Sequence, residues 1–449
     1  MTKISHYNHF QPWRNGHYIA YNARSGAVAV MTAENYEAYQ ELAIKLVQSG
    51  SAALLSDSEA ELLKQLEYGK FAYPDIADEY DAIKFQHGMS RFDTASLGMV
   101  IAPTMACNMA CEYCFESNKQ GKMSHDVQAA ILEFVEKKSD ALNSVEFCWY
   151  GGEPLLAMDV IENLTAPLIE MGQRKNFHYV ATMITNGYLL TREVVDRLVQ
   201  LKVTMVQVTL DGPARIHNKR RPLKNGKSSF EQIIANITYA ATKLAVSVRI
   251  NVDKAFDESL IEELLLELKA AKLERKIGVY FGQLEPATTV CSNIADNCYS
   301  STDFSQAEID YFRLLLQHGF RIEKLPSPVS AFCMAQRVNA FLIDPDGHMY
   351  RCFNYVGDRS RSMGTIMQPP DYQHPNFTRL FNFNAFESAK CRSCSILPVC
   401  LGGCPAQRAD RNLSEDELCQ GWRHNLIPML EIIACSRQQK MQSAIKEQI

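Results

Sequence analysis

A chain of 449 residues with 47% hydrophobic content is long enough for two or three domains, each with its own core. Its net charge of −5 gives no electrostatic basis for a nucleic-acid or membrane partner, and no apolar run approaches the roughly 20 residues that span a bilayer. The N-terminus, MTKISHYNHFQPWRNG, lacks the apolar core of a signal peptide, so a cytoplasmic location is expected, and in that reducing setting 14 cysteines point to metal ligation rather than disulfides.

Residues 1–95 read as a separate module. Short alternating runs over 17–22 and 27–31 flank Arg24-Ser25-Gly26 and predict a hairpin. Thr32 is placed to cap a helix over 34–48, and a second helix is expected over 58–66, ending at Gly69.

From Leu97 to about Gln283 strands and helices alternate, the signature of a parallel α/β sheet or barrel. Strands are predicted over 97–101, 144–150, 177–185, 205–210, 245–252 and 277–281, with Ser124 capping a helix over 125–138 and a leucine-faced helix over 258–272. The first strand enters MACNMACEYC, which spaces Cys107, Cys111 and Cys114 as C-x3-C-x2-C. Iron–sulfur cubanes normally take four thiolates and structural zinc sites are closed by four ligands, so three cysteines leave one iron open to a ligand from outside the protein. This spacing, with Tyr113 before the last cysteine, closely resembles the radical SAM enzymes.

The resemblance implies a partial (β/α)6 TIM-like barrel, with the open iron chelated by S-adenosylmethionine and a 5′-deoxyadenosyl radical produced by one-electron cleavage. Later motifs are similar to those of the family. Gly151-Gly152-Glu153-Pro154 follows the second strand and corresponds to the segment that holds the cofactor's amino group; Asn186, in Thr185-Asn186-Gly187, and Thr209, in Thr209-Leu210-Asp211-Gly212-Pro213, end the third and fourth strands as further candidate cofactor contacts. His217 and Arg221 lie in HNKRRP, which reads equally as a solvated basic face; Arg249 and Asn251, on the fifth strand, could face the barrel mouth but receive no role. The N-terminal pattern resembles the winged-helix-like leader-recognition module that precedes many such enzymes.

Residues 96–282 are read as the barrel, 283–329 as a bridge containing Cys291 and Cys298, and 330–449 as an auxiliary-cluster domain. Cys333 and Cys352 are related as C-x13-G-x4-C across a predicted hairpin, 339–343 turning back into 348–352, and Cys391, Cys394, Cys400 and Cys404 run as C-x2-C-x5-C-x3-C ahead of Cys419. This pattern resembles the SPASM extension, which implies three [4Fe-4S] clusters in all. Auxiliary cluster II would then take Cys391, Cys394, Cys400 and Cys419, and cluster I Cys333, Cys352 and Cys404, with Cys298 standing in where relatives carry a cysteine at the position of Ser327. Cys291 or a substrate thiolate are alternatives for that fourth place. Cys148 reads as a buried apolar residue.

The resemblance points to hydrogen abstraction from a precursor peptide bearing a leader sequence, with a thioether or carbon–carbon crosslink as the outcome and a flavodoxin- or ferredoxin-type reductant as electron source. Formylglycine formation on sulfatases competes, although Phe353 stands where those members have an aspartate base. Peptide epimerisation and, outside enzymes, a zinc-stabilised peptide-binding scaffold are the other readings.

Overall fold

The computed structural model describes residues 2–447 apart from 50–53, 75, 77, 115–120, 286–293, 295, 412 and 420. Strands β1 (Thr2–Ile4), β2 (Asn8–Pro12), β3 (Tyr18–Asn22) and β4 (Ala27–Met31) precede helices α1 (Ala33–Ser49) and α2 (Asp57–Tyr68), strand β5 (Ala72–Pro74) and helix α3 (Glu79–Arg91). The expected hairpin is β3–β4, and its turn is held by Asn22, whose Oδ1 accepts from the amides of Arg24 (3.0 Å) and Ser25 (2.9 Å). Thr32 caps α1 by accepting from Asn35 N at 3.2 Å. Four elements were not expected: β1 and β5, which pair antiparallel with each other, β2, which pairs antiparallel with β3 to make a three-stranded sheet, and α3. NHFQP offers a single large apolar residue between polar ones, so β2 owes its conformation to pairing with β3 and not to its own pattern.

β3 belongs to two cores at once. Ala20 packs with Tyr39, Leu42, Leu66 and Phe71 beneath α1 and α2, while Ile19 and Tyr21 join the core of the main sheet. The Tyr21 hydroxyl donates to Pro326 O at 2.6 Å, so the N-terminal elements are docked on the rest of the chain.

The main sheet collects β6 (Ser96–Ile101), β7 (Ser144–Trp149), β8 (His178–Thr185), β9 (Val203–Leu210), β10 (Ala245–Val252), β11 (Ile277–Gln283), β12 (Arg321–Ile322), β13 (Ala340–Ile343) and β14 (Met349–Tyr350). Its order is β12-β11-β10-β9-β8-β7-β6-β13-β14, parallel throughout except for the last pair. Parallel neighbours need long crossovers, supplied here by α4 (His125–Lys138), α5 (Met158–Lys175), α6 (Arg192–Gln200), α7 (Ala214–Arg220), α8 (Phe230–Ala240), α9 (Glu258–Ala270) and α10 (Ser301–Gln317). Ser124 caps α4 as expected, accepting from Val127 N at 3.3 Å. All six predicted barrel strands are present. The additions are β12, unpredicted, which pairs in parallel with β11 at one edge, and β13 of the predicted hairpin, which pairs with the open side of β6 in parallel and carries the sheet into the C-terminal region.

Helices α11 (Pro375–Phe381), α12 (Ala389–Arg392), α13 (Leu397–Cys400), α14 (Pro405–Asp410) and α15 (Trp422–Glu447) complete the chain. α15 packs on α10, where buried Glu308 accepts from Asn425 Nδ2 (3.0 Å) and Lys324 Nζ (2.6 Å). Among the described residues no helix is long and apolar enough to cross a membrane.

Candidate active site and cysteine clusters

At the C-terminal ends of the parallel strands lies a cavity of about 500 Å³, a size ordinary for cofactor and substrate sites. Cys107, Cys111 and Cys114 line it together, from the loop that follows β6. Gly151 and Gly152 lie on the same wall, and the reason for glycine is local: Gly151 has φ +109°, and a Cβ at either position would collide with the carbonyls of Thr104, Met105 or Ala106. The end of β7 thereby presses against the cysteine loop, with Gly152 N donating to Thr104 O (3.2 Å) and Glu153 N to Ala106 O (2.9 Å).

Glu153 itself stands behind the wall. It is fully buried, and its carboxylate accepts from Leu155 N (3.1 Å), the Thr185 hydroxyl (2.8 Å) and Asn186 N (2.8 Å). Burial raises its pKa and those three donors oppose the rise. The carboxylate expected at the cofactor's amine is therefore turned toward the end of β8, fixing Thr185 and Asn186, which do line the cavity. Asn186 Nδ2 reaches Asn108 Oδ1 at 2.7 Å and Cys107 Sγ at 3.8 Å. Thr209 lines the cavity from the end of β9.

Tyr113 joins the loop to the far strands: its hydroxyl bonds to Asp211 and Arg221, and Asn251 Nδ2 donates to it at 3.3 Å. Burial pushes this phenol well above its ordinary range. His217 and Arg221 are buried, so the solvated basic face is excluded for them. His217 Nδ1 accepts from Asp211 N at 3.2 Å, and burial drives its pKa down to about 3, leaving it neutral.

Sequence reading missed Gln207 and Glu285, left Arg249 and Asn251 without a role, and weighed Phe353 only as standing in the place of a base; all five are on the cavity wall. A signal was present. Gln207/Thr209, Arg249/Asn251 and Gln283/Glu285 are polar pairs two residues apart near the ends of three successive strands, the spacing that puts both side chains on one sheet face. Glu285 accepts from Gln407 Nε2 (2.9 Å) and Arg411 Nη2 (2.8 Å), tying this wall to the α14 segment.

The C-terminal cysteines form two groups. Cys391, Cys394, Cys400 and Cys419 line one cavity of about 120 Å³ with Lys390, Arg408 and Arg423. Cys333, Cys352 and Cys404 pack against a second buried cluster that includes Val100, Tyr150, Leu342 and Tyr350. Each of these three is the residue that begins a helical turn, over 334–336, 353–355 and α14, so free amides at the turn starts favour thiolate charge there. Burial nevertheless pushes Cys333 up to about 11 and Cys352 up to about 12 in the absence of metal. Cys148 packs against the same cluster and shares a cavity of about 430 Å³ with Cys333. Cys298 lies just before α10, its thiol 3.3 Å from Ile294 O, and Cys291 falls outside the described residues. Among the described residues no group of three or more His, Cys, Asp or Glu side chains is spaced to grip a single metal ion. Cys107, Cys111 and Cys114 line one cavity together and Cys391, Cys394, Cys400 and Cys419 another, an arrangement that fits a multi-atom cluster.

The protein-family description "Radical SAM superfamily" matches residues 101–268, which run from the end of β6 through most of α9. The chain carries a radical SAM domain. Such a domain holds a [4Fe-4S] cluster and S-adenosylmethionine. The chain is 26% identical over 358 residues to a cysteine-type anaerobic sulfatase-maturating enzyme of Clostridium perfringens (strain 13 / Type A), covering 73% of this chain and 94% of that protein. It is 26% identical over 348 residues to the mycofactocin maturase MftC of Mycolicibacterium smegmatis, covering 71% and 81%. Two solved structures share the α/β fold with its mostly parallel central sheet: native anSMEcpe with bound AdoMet and Cp18Cys peptide (TM-score 0.59, 19% identity, 76% of this chain and 99% of that one) and Streptococcus suis SuiB bound to precursor peptide SuiA (TM-score 0.54, 18% identity, 94% and 100%).

Proposed function

We propose that this radical SAM protein modifies a ribosomally made precursor peptide, closing a thioether or carbon–carbon crosslink. The observation that carries the reading is a single cavity shared by Cys107, Cys111 and Cys114 and by Phe353 and Asn354, the residues directly after Cys352. A substrate side chain in that cavity would lie between the radical-generating cysteine loop and the auxiliary-cluster region. When bound, the cofactors supply a carbon-centred oxidant and electron acceptors, and the chain's own residues supply orientation. Arg249, Asn251 and Gln207 offer donors and acceptors for a peptide backbone, and Phe353, edge-on to Tyr150 with centroids 5.0 Å apart, offers an apolar wall. The relatives support a peptide substrate, since one is a maturase and SuiB is solved with its precursor peptide.

In this reading Cys107, Cys111 and Cys114 hold the S-adenosylmethionine cluster, with Gly151, Gly152, Asn186 and Thr209 around the cofactor and Glu153 bracing them from behind. Cys391, Cys394, Cys400 and Cys419 hold auxiliary cluster II, and Cys333, Cys352 and Cys404 hold cluster I with Cys298 as fourth ligand. Cys148 competes with Cys298 for that place, and iron counts of Cys298→Ala and Cys148→Ala separate them: the variant of the true ligand loses iron. The N-terminal elements receive the leader, and a flavodoxin- or ferredoxin-type protein delivers the electron.

Sulfatase maturation is the second reading, favoured by the relatives of that name. Glu285 is the carboxylate on the cavity wall, but it is engaged by Gln407 and Arg411. Mass spectrometry of the co-expressed peptide decides. A crosslink removes two hydrogens, formylglycine converts one Cys or Ser, and an unchanged mass with altered stereochemistry identifies epimerisation and overturns the crosslink.

A further inference from the structure

Arg351 is a buried cation whose direct partners carry no full negative charge. Its side chain is 1% exposed, and its hydrogen bonds all go to backbone carbonyls: Nη1 donates to Ala340 O, and Nη2 to Met334 O (3.1 Å), Ala335 O (3.0 Å) and Arg337 O (2.6 Å). The rings of Phe377 and Phe341 lie 4.5 and 5.7 Å from the guanidinium carbon, and Nε is buried without a partner. Buried Arg91 is held in a similar way, donating to Phe381 O with its Nε unpartnered, whereas two other arginines find carboxylates. Arg220 meets Asp253 at 2.9 Å and Arg221 meets Asp211 at 3.7 Å, whereas among the described residues no carboxylate pairs with Arg351.

An unpaired charge in a low-dielectric interior is strongly disfavoured unless a counter-charge stands close by. The surroundings of Arg351 say where that charge belongs. The carbonyls of Met334 and Ala335 belong to the turn that begins at Cys333, the next residue after Arg351 is Cys352, and a Cys333 thiolate and the guanidinium favour each other's charged forms. With neutral thiols the guanidinium has no anion. With thiolates around a cluster it has one.

We propose that Arg351 is the counter-ion of an iron–sulfur cluster on Cys333, Cys352 and Cys404, and that its fixed charge raises the reduction potential of that cluster. The inference rests on the cysteine assignment given under the proposed function. A thiolate-bound cubane gains one negative charge on reduction, and a cation held beside it stabilises the reduced form more than the oxidised form. Four carbonyl contacts prevent the guanidinium from turning away, so the effect is built into the hairpin. The consequence is a cluster I that accepts an electron more readily than it would beside a neutral side chain.

The test is an EPR-monitored redox titration of the anaerobically reconstituted full-length protein, comparing the parent with Arg351→Met, Arg351→Gln and Arg351→Lys. Cys352→Ala identifies the signal of cluster I by its loss. The expected result is a downward shift of that one midpoint in the Met and Gln variants, with the other clusters unmoved and the Lys variant close to the parent. A residue that merely clamps carbonyls would lower stability or iron occupancy without moving the potential. Equal midpoints for the Gln and Lys variants would therefore overturn the proposal, and the Gln variant keeps this comparison open should Met prevent folding. Unchanged iron content in Cys352→Ala would instead overturn the cysteine assignment beneath it.

Discussion

Glu153 has both carboxylate oxygens occupied by two backbone amides and a hydroxyl, all donors. Glu153→Gln keeps the shape but turns an amide NH2 toward one of them, and a buried donor left facing a donor costs about 1–3 kcal/mol. The expected outcome is a lower denaturation midpoint together with weaker S-adenosylmethionine binding, because Thr185 and Asn186 lose their brace; retained stability with lost binding would instead place Glu153 against the cofactor. His217 makes a pH prediction. Its folded pKa, about 3, lies below its ordinary value of 6.5, so between those values the unfolded chain binds more protons than the folded one. Stability from this group is full above the ordinary value and is lost as the pH falls toward the depressed one. In His217→Asn the proton uptake on unfolding near pH 5 should fall by about one, measured as the slope of stability against pH. At this scale the sequence showed which residue types were present but not which way they faced. The Gly-Gly-Glu-Pro run was legible as a site, yet Glu153 points away from the cavity because the glycines draw the chain against the cysteine loop.

The β13–β14 hairpin was readable from Asp346-Gly347 between two apolar runs. Its partner was not, because β13 and β6 are more than two hundred residues apart in sequence. Pairing of Ala340–Ile343 with residues 98–101 covers an edge that a barrel alone would expose, and an uncovered apolar strand edge invites association with other chains. A chain ending before Ser330 is therefore expected to elute as aggregate in size-exclusion chromatography, and a well-behaved monomer would show that β6 tolerates solvent. β2 and α3 escaped notice for a related reason. Their residues are chosen for contacts with β3 and with the C-terminal segment, such as Tyr80 with Phe386 O at 2.7 Å, and not for a periodicity of their own.

Taken whole, the molecule places three groups of cysteines around one continuous sheet. Full anaerobic reconstitution is expected to give about twelve irons per chain, as three cubanes require, and Cys391→Ala should lower the count by about four while S-adenosylmethionine cleavage by strong reductant survives. Loss of cleavage in that variant would mean that the groups are not independent. The sequence by itself determined the chemistry: thiol spacing, the glycine pair and alternating strands and helices are local features, and local features survive in a one-dimensional reading. Only the tertiary structure decided which thiols share a cavity, that the N-terminal strands enter the main core, and that Arg351 is buried beside Cys352 without a carboxylate. Each of these depends on contacts between segments far apart in the chain, and such contacts form only when burial of apolar surface brings those segments together.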